Sequence, residues 1–449
     1  MTTDRSTAWP ILRGYTPEDI LATSGRSEEP ITAPRFLSDI AALAACLPEA
    51  ETVINLCSDR YRFAVGLMAA LVRQQVTLLP SSDAPGILSK LARDHRSLYF
   101  LYDGAPPPHG ERALFAYPAT LPEISNATCP EVAADQEAVV LFTSGSTGDP
   151  VPQPRQWGAL VASTRAAGNA LGLDQAKGAS ILGTVPHQHS YGLESTLMLA
   201  LQHGLRFHRS RPLLPADILT ALDAMPEPRV LVTTPVHLRA LVAQEGPWPR
   251  VRHIVCATAP LSAELAREAE TVFGGELREI YGCSEVGQVA WRRSTETALW
   301  TPFKGIELSP KGTDIWASGP AAARSAALND VIELEEDGRF TLHGRKADMI
   351  NVAGKRSSLA YLNHRLNAIS GVDDGVFISP EDSPDGTHLM AYVVAPTLTS
   401  EAILAELRQH LDPVFLPRPI RFVAALPRNS LGKLTSQARE RLLLESVER

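Results

Sequence analysis

Between residues 52 and 101, short apolar runs alternate with helical stretches, and few folds accept that alternation. The run Thr52-Val-Ile-Asn-Leu-Cys57 reads as a strand. Ser58 or Asp59 can cap the helix that follows, whose Phe63, Leu67 and Leu71 make one apolar stripe. Further strands are expected at 76–79 and 98–101, with a helix around 87–91. Strand, helix and strand at this spacing imply parallel strands joined by crossovers, hence a doubly wound sheet. A second series has strands expected at 181–185, 230–233, 253–256 and 277–280. Its helices are expected at 193–201, 216–224, 237–243 and 264–273, the last stopped by Gly274-Gly275.

The remaining segments are different. Residues 1–50 are rich in Pro and Ala, with one helix expected at 36–47. From residue 300 to 343 short strands are expected, with a hairpin signal at Glu336-Asp337-Gly338. Strands near 376–378, 390–394 and 420–422 mark a compact α+β tail. The fold class is therefore α/β. A large N-terminal domain of doubly wound sheets is expected over 1–344, and a small α+β domain over 345–449.

Chemistry concentrates first in Leu141-Phe-Thr-Ser-Gly-Ser-Thr-Gly-Asp-Pro150. The apolar run 138–142 is a short buried strand opening into a loop with Gly145, Gly148 and four hydroxyls, Thr143, Ser144, Ser146 and Thr147. Glycines let backbone N–H groups turn inward to form an anion-binding concavity, and hydroxyls add donors. No Gly-Lys-Ser/Thr follows, so a Walker loop is excluded. From 157 to about 171 a long helix is expected. In open α/β sheets ligands collect at the carboxyl ends of the strands, where 143–148, 186–192 and 281–285 all lie.

Composition narrows the partners. A net charge of −8 argues against nucleic acid. No apolar run is long enough to cross a bilayer and no secretory leader is visible, so no membrane insertion is expected. Cys46, Cys57, Cys129, Cys256 and Cys283 show neither metal nor disulfide spacing and fit a reducing, cytoplasmic compartment.

Four stretches in order resemble the acyl-adenylating superfamily of acyl-CoA synthetases, peptide-synthetase adenylation domains and luciferases. They are Thr143-Ser-Gly-Ser-Thr-Gly148, Tyr281-Gly-Cys-Ser-Glu285, the segment 344–354, and Leu426-Pro-Arg-Asn-Ser-Leu-Gly-Lys433. A fifth, Pro186-His-Gln-His-Ser-Tyr-Gly192, matches the family's loop between nucleotide and acyl pockets. The resemblance implies ATP and Mg²⁺ as cofactors. It places Thr143, Ser144, Gly145, Ser146, Thr147 and Gly148 around the β- and γ-phosphates. Tyr281 would stack on adenine with Gly282 beside it, Ser284 would touch the α-phosphate, and Glu285 would hold the metal. Asp330 and Arg345 would reach the ribose. Lys433 would bridge the carboxylate and the α-phosphate, and Lys346, Ala347 and Asp348 would form the hinge. Where the family usually has Lys after the loop's Pro, this chain has Val151; Arg155 either takes the lysine's place or is a solvated surface charge.

His189, Tyr191, Thr234, His237, Ala257 and Ala259 are expected to build the acyl pocket, His189 as wall and gate. Polar groups beside an aromatic ring suit a small aromatic acid carrying a hydroxyl. The chain further resembles stand-alone ligases that load hydroxybenzoates onto an acyl carrier protein in aryl-polyene pigment pathways. The alternatives are free CoA as acceptor and a nucleotide-binding pseudoenzyme. His187 is read as structural. Ser430 and Lys433 form a Ser-x-x-Lys pair without the partner motifs of a serine acyl-enzyme.

Overall fold

Adjacent residues in the central strands enter different cores. Val53 packs in one cluster and Ile54 in another; Ile181 and Leu182 divide in the same way, as do Val230 and Leu231. Side chains alternate across a strand, so a strand buried on both faces needs an unbroken apolar run. The structure, a computed structural model, describes residues 7–24, 29–80, 82–107, 112–144, 150–346, 349–352, 355–379, 389–428 and 434–444.

Among these residues the N-terminal domain holds a six-stranded and a nine-stranded sheet. The largest core lies between them. It is filled by helices Ala33–Cys46, Arg60–Val72 and Trp157–Ala170, with the Leu193–His203 stretch. Helix Arg60–Val72 is buried almost all round, and Asp59 caps it by accepting from the Arg62 N–H. Helix Pro85–Asp94 covers the outer face of the six-stranded sheet. Helices Pro215–Ala224, Pro235–Val242 and Ala263–Phe273 cover the outer face of the other. The C-terminal part has its own core, including Leu362, Leu366, Phe377, Val393, Ile403 and Leu407, beside a three-stranded sheet. Among the described residues no helix is long and apolar enough to cross a membrane.

Three details depart from the sequence expectation. Strand Pro150–Gln156 follows the 143–148 stretch directly, antiparallel to Glu137–Ser144, where no strand was expected. Pro150, Pro152 and Pro154 argue against a strand, but this one is the outer edge of its sheet. At every second position they occupy outward-facing sites, where no ladder donor is needed. Second, Leu193–Met198 is a π-helix, continuing as an α-helix through Leu199–His203. Third, Glu276–Cys283 extends beyond the expected 277–280, because Gly287–Arg292 pairs with its residues from Glu279 to Cys283.

Candidate functional site

Each large sheet has a parallel run that ends in an antiparallel hairpin. Glu137–Ser144 lies parallel to Val76–Leu79 and turns back into Pro150–Gln156. Glu276–Cys283 lies parallel to His253–Cys256 and turns back into Gly287–Arg292. The first hairpin carries the Ser/Thr/Gly stretch and the second carries Tyr281–Glu285. Thr143 and Ser144 pair with Val151 and Pro150 at the end of the first. Gly145, Ser146, Thr147 and Gly148 lie outside the described residues, as do Ala347, Asp348, Ser430 and Lys433.

In the second hairpin a register shift falls between Tyr281 and Gly282. A side chain at Gly282 would meet the Gly287 carbonyl oxygen at 2.4 Å, so the two strands can approach this closely only with glycine there. Tyr281 is buried, with edge contacts to Trp300 and Phe340, and its hydroxyl donates to Asp330 Oδ2 at 2.6 Å. Two residues expected in the adenosine site are thus in direct contact. Arg345 pairs through its backbone with Asp330. Lys346 Nζ donates to Asp314 Oδ1 at 2.7 Å and to the Leu328 carbonyl at 2.9 Å, tying that expected hinge residue to the N-terminal domain.

Glu285 is half-buried in the turn of the second hairpin, with no ion-pair partner among the described residues. Nor do those residues hold a group of three or more His, Cys, Asp or Glu able to form a metal cage. A single carboxylate at the turn suits Mg²⁺, which takes one or two carboxylates and completes its shell with phosphate and water oxygens. Burial pushes the neighbouring Cys283 thiol up to about 11, so it stays protonated near neutrality and is no nucleophile.

The second group of residues gathers at the carboxyl ends of Ser180–Gly183, Arg229–Thr233 and His253–Cys256. Tyr191 donates to the Thr233 carbonyl at 3.0 Å or the Val255 carbonyl at 2.9 Å. Thr234 caps helix Pro235–Val242 by accepting from the His237 N–H. His237 Nδ1 lies 3.0 Å from Thr234 Oγ1 and 3.2 Å from Thr184 Oγ1, and Thr184 reaches Thr233 Oγ1 at 3.1 Å. Burial first, then the charge of Arg211, hold the His237 imidazole below its ordinary value. His189 sits at the head of the short helix Ser190–Gly192. A side chain on Gly192 would meet the Pro186 carbonyl oxygen at 1.9 Å, which explains the glycine where this loop turns back on itself. Ala257 and Ala259 follow strand His253–Cys256, around Thr258 at φ +85°. A β-branched residue there is strained, and Thr258 Oγ1 is buried without a partner. That strain could not be read from the sequence.

His187 is structural, as expected: its Nε2 lies 2.9 Å from the Cys57 carbonyl oxygen, Phe63 packs on the ring, and burial lowers its pKa to about 3. Arg155 is no solvated surface charge. It is 1% exposed, donating from Nη2 to the Ser284 carbonyl at 2.6 Å and from Nη1 to the Glu285 carbonyl at 3.3 Å. Buried Arg60, not singled out from the sequence, likewise donates to the carbonyls of Gly183, His208 and Ser210.

Comparison with known proteins puts this geometry in a family. The family described as AMP-binding enzyme matches residues 41–309. A 4-coumarate–CoA ligase of Rhodobacter capsulatus is 30% identical over 299 residues, 66% of this chain and 74% of that protein. A 3-hydroxybenzoate–CoA/4-hydroxybenzoate–CoA ligase of Thauera aromatica is 23% identical over 347 residues, 68% of this chain and 66% of that protein. The crystal structure of ATP-bound MatB from Rhodopseudomonas palustris superposes with a TM-score of 0.81 at 17% identity, covering 97% of each chain, and so shares the fold. With both hairpins and both residue groups at the carboxyl ends of matching sheets, this chain belongs to the AMP-binding family of AMP-forming acid–thiol ligases.

Proposed function

We propose that the protein activates a hydroxybenzoate as its acyl-adenylate, releasing pyrophosphate, and then passes the acyl group to the phosphopantetheine thiol of an acyl carrier protein. The observation that carries the choice of acid is the His237 cluster. Two threonine hydroxyls engage Nδ1, and among the described residues Nε2 has no hydrogen-bond partner. A neutral imidazole so oriented offers one polar contact at the carboxyl ends of the central strands, which suits a ring hydroxyl and disfavours a plain alkyl chain.

In this reading the first hairpin's N–H groups and hydroxyls bind the triphosphate, Tyr281 flanks adenine, and Asp330 and Arg345 orient the ribose. Mg²⁺ held by Glu285 would neutralise phosphate charge. Ser284 faces the α-phosphate, and His189 with Tyr191 walls off the acid. Lys433 enters from a small domain beginning at residue 345, which turns about Lys346, Ala347 and Asp348 and withdraws the lysine for the thiol step. Joining two anions is slow because they repel, so holding them in place against fixed cations lowers most of that barrier.

Free CoA is the second acceptor, favoured by the relatives named as CoA ligases. Pyrophosphate exchange with a panel of benzoic, hydroxybenzoic, cinnamic and fatty acids tests the acid. Preference for an unsubstituted or alkyl acid would overturn the hydroxybenzoate assignment, and exchange with none would favour a pseudoenzyme. Incubating the product with CoA and with carrier protein tests the acceptor; thioester on CoA alone would rule out the carrier protein.

A further inference from the structure

Arg155 and Glu194 are buried residues of opposite charge, each 1% exposed, that face each other across Gly287 without a direct ion pair. Gly287 lies between them: a side chain built on it would come within 3.6 Å of Glu194 Oε2 and 3.9 Å of Arg155 Nη2. Each reaches a different loop. Arg155, on the edge strand of the first hairpin, donates to the Ser284 and Glu285 carbonyls of the second. Glu194 Oε1 accepts from Ser190 Oγ at 2.6 Å, in the loop after His189, and Oε2 accepts from Ser163 Oγ at 3.4 Å. Two of the three loops expected from the sequence to share a ligand, 186–192 and 281–285, are therefore held from beneath by neighbouring buried charges, one of them on the return strand of the first hairpin.

We propose that Arg155 is a positioning residue of the nucleotide site: by gripping the Ser284 and Glu285 carbonyls it sets the direction in which the Glu285 carboxylate leaves the turn, and the nearby buried charge of Glu194 offsets the cost of burying the guanidinium. This rests on the reading of Glu285 as the Mg²⁺ ligand. A planar guanidinium can hold two adjacent carbonyls at once, whereas an ammonium is a single rotating point. The guanidinium does not replace the absent loop lysine by touching phosphate. It acts on the metal-binding residue through the backbone.

The test compares wild type, Arg155→Met, Arg155→Lys and Glu194→Gln by calorimetric titration with AMP and with the non-hydrolysable ATP analogue AMPCPP, with and without Mg²⁺. Thermal unfolding of each variant is recorded alongside. Arg155→Met is expected to weaken Mg²⁺-dependent AMPCPP binding about tenfold or more while AMP binding stays within about twofold. Arg155→Lys should recover part of the loss, and Glu194→Gln should fall between the two. Unchanged Mg²⁺-dependent binding in folded Arg155→Met, or in Arg155→Lys should the methionine variant not fold, overturns the inference. Equal weakening of AMP and Mg·AMPCPP binding also overturns it, since a general collapse of the site would act on both. If wild type binds AMPCPP no better with Mg²⁺ than without, the metal-site reading fails first and takes this inference with it. Full wild-type binding with an indifferent Arg155 variant defeats the inference alone.

Discussion

The two hairpins that close the large sheets share a plan and differ in their surroundings. In both, a strand parallel to its inner neighbour turns back antiparallel, with a stretch that resemblance assigns to the nucleotide site at the turn. The first hairpin returns along an exposed edge capped by three prolines, Val151 being 43% exposed. The second returns through buried Gly287–Ala290 and is covered in turn by Thr301–Pro302. A flexible polyphosphate can be wrapped by backbone at an open edge. A metal-binding carboxylate needs a fixed direction, and that calls for packing. Arg155 starts on the open hairpin and ends on the packed one.

Substitutions should separate the two. Glu285→Gln, in the packed hairpin, removes a charge and should lower adenylation by about 10²–10³. Pyrophosphate exchange would show this with the KM for the acid changed by less than about twofold. A fall of less than tenfold would mean that the metal is held elsewhere. Gly282→Ala forces a methyl group against the Gly287 carbonyl and should cost about 1–3 kcal/mol of stability in urea unfolding. A neutral result would show that the packed hairpin is looser than its geometry. Tyr281→Phe loses the 2.6 Å bond to Asp330 and should raise the KM for ATP roughly five- to tenfold, about 1–1.5 kcal/mol.

The open hairpin should respond less. Val151→Lys adds a cation at an exposed edge and should lower the KM for ATP by about two- to fivefold, within the ~1 kcal/mol expected of an exposed charge contact. Pro152→Ser combined with Pro154→Ser restores outward N–H donors. It should promote self-association in sedimentation velocity with activity largely intact. A large loss of activity from that double variant would show that the edge strand shapes the phosphate loop directly.

Much of the fold was legible wherever a strand is buried on both faces. Runs such as His253–Cys256 and Met390–Val394 came out at their expected limits because a strand buried on both faces favours a nearly continuous apolar run. Strand Pro150–Gln156 was not legible, since whether proline is tolerated depends on the sheet edge and not on local propensity. The Tyr281–Asp330 contact joins two residues each assigned to the adenosine site by resemblance alone. Neither the strain at Thr258 nor the burial of Arg60, Arg155 and Glu194 had any signal, because an isolated charged residue reads the same on a surface as in a core.

The sequence by itself determined the α/β class, the alternation of the buried strands and helices, and the division into a large N-terminal and a small C-terminal part. Periodicity and glycine position follow from local sterics and hydrophobic burial, which act along the chain. Tertiary structure decided which loops meet, which arginines are buried, and which edge is left open. Those outcomes depend on residues such as Arg155 and Ser284, whose guanidinium and carbonyl are 129 positions apart in sequence and 2.6 Å apart in space. Electrostatics and desolvation at that range act only once the sheets have brought the groups together.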